Sequence, residues 1–359
     1  MLIEAFDPKI AGESEWQAMN RFANRRRKEE WPNDLPVPVE KTRIDMTVFK
    51  ENTRRYIWVV WQSEEIVGMA ALYVEDAQTN THLAWLDMWV LPHARGHGLG
   101  RQLLALAAEA AQSEGRRLLM GETDSYVPAG DAFAAHLGAS KGLVAYTNEL
   151  DIADVDRAMI RRWIERAPER ASGFSLEFWG NSVPDEDIDR WIRMFEASMN
   201  DEPRGDLELE DEKLTPDEVR EWDRVLSRRG VEAWTAVVRE DATGELAGFT
   251  SVRWNPYEPD SMWQGGTGTS RNYRNRGLGR WMKAAMMERI LRERPSVKRV
   301  RTGNAEVNAP MLKINWEMGY RPTKTWTMWQ IEVERALAWT GQGVVEDDTR
   351  DDALESAAA

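Results

Sequence analysis

A chain of 359 residues with 61 acidic and 47 basic side chains carries a formal net charge of −14, and 42% of it is apolar. That charge repels nucleic acid and draws cationic small molecules, and no apolar run approaches the roughly 20 residues needed to span a membrane. With no cysteine and four histidines, disulfide scaffolds, thiolate zinc sites and cysteine nucleophiles are excluded, and catalysis falls to carboxylates, hydroxyls, amides or backbone groups.

The length exceeds what one hydrophobic core supports, so two domains are expected. The opening MLIEAFDPKIAGESEW is acidic and lacks the basic and apolar segments of a signal peptide, which reads as a cytoplasmic protein. A helical stretch (13–31) leads to RRYIWVVWQ (54–62) and EIVGMAALYVED (65–76), two strands of a hairpin about a polar Ser-Glu, and then to HLAWLDMWVLP (82–92), a third alternating strand. RGHGLG (95–100) follows, and the next helix lines up Leu99, Leu103, Leu106 and Ala110 on one face. A strand (116–124), a short helix ending in glycine (131–139) and a last strand close this half. Residues 153–173 read as a connecting helix. The second half repeats the order. Two helices (184–199 and 215–229, the latter opened by the cap pair Thr215-Pro216) precede the hairpin strands 231–241 and 245–254, and the strand 261–270 comes next. RNRGLG (274–279) starts a helix with Leu278, Trp281, Met282 and Ala285 on one face. The strand 297–306, the helix 309–320 and a last strand then follow. Arg274 lies 179 residues after Arg95 (274 − 95), half the chain length, so a duplication is the simplest account. Each half reads β, α, α, β, β, β, α, β, α, β. The boundaries follow as residues 1–152 and 173–338, a linker at 153–172, and an acidic, disordered tail at 339–359.

Glycine lets the backbone approach a ligand, and the first amides of a helix have no partner within it, so each glycine hinge is a cradle for an anion such as phosphate. A dinucleotide fingerprint does not fit, because Arg101 stands where its third glycine belongs and three strands come first. A P-loop does not fit either, because no Lys-Ser/Thr pair follows. A ligand-free turn is the plainer alternative, and its recurrence in the same strand-turn-helix context argues against it.

Both hinges resemble the cofactor motif of the GCN5-related N-acetyltransferases: Gln or Arg, two residues, Gly, one residue, then Gly or Ala. The resemblance covers nearly the whole chain as two tandem α/β (α+β) domains, each a mixed, mostly antiparallel sheet flanked by helices, in an arrangement similar to that of the mycothiol synthases. It implies acetyl-CoA as cofactor. The pyrophosphate would lie on Arg95, Gly96, His97, Gly98, Leu99, Gly100 and Arg101, and on Arg274, Asn275, Arg276, Gly277, Leu278, Gly279 and Arg280. The pantetheine arm would run along the fourth strand at Trp89, Val90 and Leu91 and at Gly268, Thr269 and Ser270, where a backbone amide polarises the thioester. The late motif of the second half adds Asn304, Asn308 and Asn315, with helix capping and pantetheine contact as competing roles.

The resemblance also implies a base for the amine and an acid for the thiolate. Asp87 and Glu122 are the candidate bases of the first half, and a strand-end carboxylate held by a backbone amide is the equal alternative for Asp87. Gly266 occupies the matching position in the second half. The acid tyrosine of many relatives is replaced by Ala134 and by Asn315, the latter being the second half's catalytic candidate, while Tyr273 and Tyr320 read as packing residues. The fuller late motif favours catalysis in the second half, and Asp87 favours the first. The expected activity is acetyl transfer from acetyl-CoA to a primary amine of a small, cationic molecule. A non-catalytic acyl-CoA sensor and a protein-lysine acetyltransferase are the alternatives.

Overall fold

The computed structural model describes residues 1–341. The first half comprises β1 (Leu2–Ala5), α1 (Glu13–Glu30), α2 (Val39–Thr47), β2 (Thr53–Gln62), β3 (Glu65–Glu75), β4 (Leu83–Val90), α3 (Leu99–Ser113), β5 (Leu118–Asp124), α4 (Pro128–Leu137) and β6 (Ser140–Asp151). Then come α5 (Arg157–Glu165) and α6 (Ala167–Arg170). The second half comprises β7 (Phe174–Trp179), α7 (Ile188–Met199), α8 (Pro216–Arg228), β8 (Glu232–Glu240), β9 (Leu246–Trp254), β10 (Ser261–Thr269), α9 (Leu278–Glu293), β11 (Arg299–Ala305), α10 (Ala309–Glu317) and β12 (Arg321–Glu332), and α11 (Val333–Thr340) follows. Residues 339 and 340, assigned above to the tail, are therefore helical, and the tail from 342 onward lies outside the described residues. No helix among the described residues is long and apolar enough to cross a membrane.

The twelve strands among the described residues form one sheet in the order β1-β2-β3-β4-β5-β12-β6-β11-β10-β9-β8-β7. The last strand of each half is thus exchanged: β12 pairs with β5 of the first half, β6 pairs with β11 of the second, and β6 and β12 run antiparallel at the centre. The registers match under one offset. Trp326 faces Asp124 on β5, Ala145 faces Ala305 on β11, and both pairs shift by 181 (305 − 124 and 326 − 145). Ala145 and Trp326 also face each other, so an approximate two-fold axis runs through that pair. The following helices are exchanged too, α11 packing on α3 and α5 on α9.

One sheet face of the first half is covered by α1, through Trp16, Met19 and Phe22 against Ile57, Val59 and Met69. The opposite face carries α3, through Leu104, Ala108 and Ala111 against Leu72, Ala84 and Leu119. In the second half Trp191 and Met194 of α7 pack on Val237 and Phe249, and Met286, Met287 and Ile290 of α9 pack on the other side. α8 starts on a reciprocal cap in which Thr215 and Glu218 each bond the other's backbone amide.

The segments between the paired helices cross the seam. Asp34, after α1, meets Arg301 of β11 through paired bonds of 2.6 and 2.7 Å, and Trp31 packs on Trp263 of β10 at 5.9 Å. Conversely, Leu207, after α7, packs with Leu83, Leu118 and Met120 of the first half. Close backbone contact there demands glycine, since a Cβ on Gly205 would lie 2.1 Å from the Gly142 carbonyl oxygen of β6.

Candidate active site

After the fourth strand of each half, a single turn (Pro92–Ala94 or Arg271–Tyr273) leads into the helix through two left-handed residues. These are Gly96 (φ 78°) and Gly98 (φ 75°) in the first half, and Asn275 (φ 65°) and Gly277 (φ 79°) in the second. Asparagine is among the few side chains that tolerate this conformation, which accounts for the difference between the copies. The amides of Leu99, Gly100 and Arg101 open α3, and those of Leu278, Gly279 and Arg280 open α9, without partners inside their helices. A Cβ on Gly96 would meet nothing within 4 Å, so the space before this loop is open. An oxyanion there meets free N–H groups at the positive end of a helix.

The side chains around the cradles take other work. Leu99 and Leu278 turn into the core, and Gly100 is needed for packing, since its Cβ would stand 3.1 Å from Phe133. Arg95 and Arg274, expected at the phosphates, are braces instead. Arg95 Nε donates to the Val90 carbonyl (2.9 Å) while its terminal nitrogens pair with Glu29 (2.8 Å). Arg274 Nε likewise donates to the Thr269 carbonyl (3.2 Å) and Nη2 to Asp201 (2.7 Å). In each case the guanidinium finds a strand-end carbonyl and a carboxylate from the helix or loop opposite. Arg101 Nε donates to the Thr340 carbonyl of α11 at 3.2 Å and lies over Trp339, while Arg280 pairs with Glu317 at 2.8 Å and lies over Trp163 of α5. His97 turns back on the Arg95 carbonyl, and Arg276 stacks on Phe174. The groups the cradles leave unengaged are therefore backbone amides.

β4 and β5 are parallel and pair only over Leu83–Trp85 and Leu118–Met120, and β10 and β11 only over Ser261–Trp263 and Arg299–Arg301. Beyond these residues the strands diverge. Among the described residues the Leu86–Val90 edge of β4 has no strand partner on that side, and Gly121 marks the fork, where a Cβ would lie 3.1 Å from the Leu86 carbonyl. An extended ligand bearing amides can bond such an edge as another strand would. The Leu91 amide is already bonded to Val67, and its side chain is buried. β10 differs from β4 in carrying a bulge against β9 between Gln264 and Thr267.

On the α1 face of the first fork, Asp87 comes from β4 and Glu122 and Asp124 from β5. Asp87 is held by Arg26 of α1 (2.6 Å), whose guanidinium also pairs with Glu30 (3.3 Å) and lies 4.8 Å over Trp89. Asp124 is paired with Lys324, which arrives on the exchanged strand β12 and caps the Glu30 carbonyl at 3.2 Å. Among the described residues Glu122 has no partner of this kind. Packing around it, then the nearby charge of Asp124, push its pKa up to about 7 against the opposing pull of Lys324, with Glu30 and Asp87 adding to the rise. Its tip is open to the cleft, so the packing contribution applies in full only once a ligand excludes water.

The second fork has none of these carboxylates: Gly266 matches Asp87 under the 179 offset, and Gly303 and Ala305 match Glu122 and Asp124 under the 181 offset. Gly266 is sterically set, because a Cβ would approach Phe249 at 3.1 Å and Met199 at 3.5 Å. Asn315 is fully buried and donates to Asn304 Oδ1 (2.7 Å), so it has no open face toward an acceptor, which corrects its expected catalytic place. Asn308 caps α10 by accepting from the Met311 amide.

The sequence matches the acetyltransferase (GNAT) family over residues 16–139 and again over 191–319. The chain belongs to this family. No match was found among curated proteins. Among solved structures it is similar to a tandem GNAT protein from the clavulanic acid biosynthesis pathway, determined without AcCoA, with 26% identity, a TM-score of 0.74, and coverage of 92% of this chain and 98% of that one. A GCN5-related N-acetyltransferase from Sphaerobacter thermophilus shares the fold at 14% identity and a TM-score of 0.65, over 92% of this chain and 95% of that one. This GNAT chain is thus an N-acetyltransferase of the tandem kind. Its two family matches stop just short of β6 and β12, the exchanged strands.

Sequence reasoning missed the partners that shape the GNAT cleft. Arg26 is 61 residues from Asp87 and Lys324 is 200 from Asp124. Arg26 stands in the basic run Arg25–Lys28 without a mark of its own, and Lys324 belongs by sequence to the opposite half.

Proposed function

We propose that the protein is a cytoplasmic enzyme that moves the acetyl group of acetyl-CoA to a primary amine of a small molecule, with the chemistry in the first half. One observation carries this reading: carboxylates at positions 87, 122 and 124 line the fork of the first half, and Gly266, Gly303 and Ala305 take their places in the second. Acetyl-CoA supplies the activated acyl group. The free amides of Leu99–Arg101 and the open loop at Gly96 and Gly98 suit its diphosphate, and the unpaired Leu86–Val90 edge suits its pantetheine amides. Glu122 takes the proton that the ammonium must lose before nitrogen can attack, and a carboxyl pushed up toward 7 once bound ligand excludes water matches that task at neutral pH. The C–N bond then forms as the C–S bond breaks. Asp87, engaged by Arg26, keeps the arginine over Trp89 and adds negative charge that draws the ammonium in. The second half keeps the cradle and fork without these carboxylates, which supports cofactor holding rather than transfer.

The test is amine-dependent release of CoA across a panel of small amines. Glu122→Gln should lower kcat/KM by roughly 10² to 10⁴ and abolish the rise of rate through pH 7, while Asp87→Asn should cost about tenfold, and both variants should keep acetyl-CoA affinity. Wild-type kinetics in Glu122→Gln would place the base elsewhere.

A further inference from the structure

Next to the carboxylate cleft, a pocket of about 320 Å³ opens on the seam, lined by Phe49, Lys50, Tyr73, Glu75, Trp85 and Arg229, with Thr53 and Val225 completing it. Val225 and Arg229 come from the end of α8 in the second half and the remainder from the first. The docking of α8 sets its shape: Arg229 Nε and Nη2 donate to the Val48 carbonyl (3.0 and 2.7 Å), and Arg228 to that of Phe49 (3.2 Å).

The charge here is unusual for a protein of net −14. The Arg229 and Arg55 guanidiniums both lie over the Phe49 ring, at 5.1 and 4.0 Å, and among the described residues neither has a carboxylate in an ion pair. Arg55 Nη1 donates to the Met46 carbonyl. Burial holds the pKa of Arg55 below its ordinary value; Tyr73 opposes the fall, Arg229 adds to it, and Asp7 opposes it less. Arg253 is lowered in the same way, by burial and by Arg229. Neighbouring Arg228 and Arg224, by contrast, are both neutralised by Glu221, and Lys50 by Glu75. Arg229, bonded to a carbonyl alone and facing a cavity walled by Phe49, Tyr73 and Trp85, with Arg55 stacked on the same Phe49 ring, is a receptor for an oxyanion attached to a compact body.

The pocket and the carboxylate cleft are neighbours along β4. Trp85 and Asp87 are alternate residues on the same face of β4, about 7 Å apart, and Tyr73 and Ala71 of β3 pair with them. Tyr73 lies 5.6 Å from Phe49, and its hydroxyl senses the charge of Asp87 and Arg26 as well as that of Arg55 and Arg229.

We propose that the seam pocket holds the carboxylate or phosphate of the acceptor while its amine reaches Glu122, so that the substrate is a small amine carrying an oxyanion a few bonds away. This rests on the transferase reading above, and it confines the cationic preference expected from net charge to the amine end of the cleft.

The experiment compares ω-amino carboxylates of three to six carbons, their carboxamides, and 2-aminoethyl phosphate as acceptors for the full chain. Wild type should favour the anionic members over the carboxamides, the carboxylate and phosphate arms showing which oxyanion fits. Arg229→Gln should reduce the carboxylate-to-carboxamide ratio of kcat/KM at least tenfold, chiefly through KM, and Arg229→Lys should restore part of it. A wild type without preference, or a variant that lowers both acceptor types equally, overturns the proposal. If wild type acetylates no amine, the transferase reading fails instead. The pocket is then judged by labelling with phenylglyoxal, read by peptide mass spectrometry: protection of Arg229 by 4-aminobutyrate upholds it, and no protection overturns it.

Discussion

Replacing Lys283 with methionine should make the protein more stable at neutral pH and leave it little changed at high pH. Lys283 lies on α9 with 1% of its surface exposed and no ion pair among the described residues, and its Nζ is 5.5 Å from the ring centroid of Tyr320. The hydroxyl of that tyrosine is buried and has no hydrogen-bond partner among the described residues. Leu104 holds the matching position in the first half, which shows what this place accepts. Burial drives the lysine from its ordinary 10.5 down to about 7. Across that gap of roughly 3.5 units, at about 1.36 kcal/mol each, the ceiling on the cost at neutral pH is about 5 kcal/mol. Water entry and helix relaxation reduce it, so we expect a gain of about 2 to 5 kcal/mol from a side chain of similar length and no charge. The folded state sheds the proton near 7 while the unfolded chain keeps it to 10.5, so wild-type stability climbs with pH through that interval and the advantage of Lys283→Met shrinks to about 1 kcal/mol or less by pH 10. Urea denaturation followed by circular dichroism at pH 7 and pH 10 measures both. A variant no more stable than wild type at pH 7, or better by the same margin at both pH values, would refute the reasoning.

Two more outcomes can be checked directly. Titration calorimetry with acetyl-CoA should find two sites per chain, and Gly98→Val and Gly277→Val should each remove one, because a β-branched side chain resists the positive φ of 75° or 79° that aims the amides; no binding, or one site that survives both changes, rejects two working cradles. The fragment 1–152 expressed alone should aggregate or stay unfolded, and mixing it with 153–341 should recover circular dichroism and cofactor binding, because β5 needs β12 and β11 needs β6.

Local features of this fold were readable from the sequence, and partnerships were not. Hairpin turns, helix caps and the doubled glycine hinge depend on residues a few positions apart, and each appears where the pattern places it. Arg95 stands where the motif puts it, yet its direction is decided by Glu29, 66 residues earlier. Asn315 falls on the expected helix, but nothing in its spacing says that Asn304 turns it inward. The exchange of β6 and β12 had no local sign, because alternation defines a strand and leaves open which edge receives it. The seam pocket needed side chains from both halves, which no reading of one half could bring together.

Strand exchange also governs how the protein can be made. When the ribosome has released β5, the edge that β12 will occupy has no permanent partner until Trp326 follows Asp124, 202 residues later (326 − 124). At about 5 to 20 residues per second this lasts roughly 10 to 40 s. An open strand edge is a template for any passing strand, and the nearest candidate is the nascent copy on the next ribosome of the same message, which carries the same β5 and will soon carry the same β12. Slow translation of the second half lengthens that exposure, so codon choice between residues 125 and 320 bears on how long the β5 edge stays open to a wrong partner.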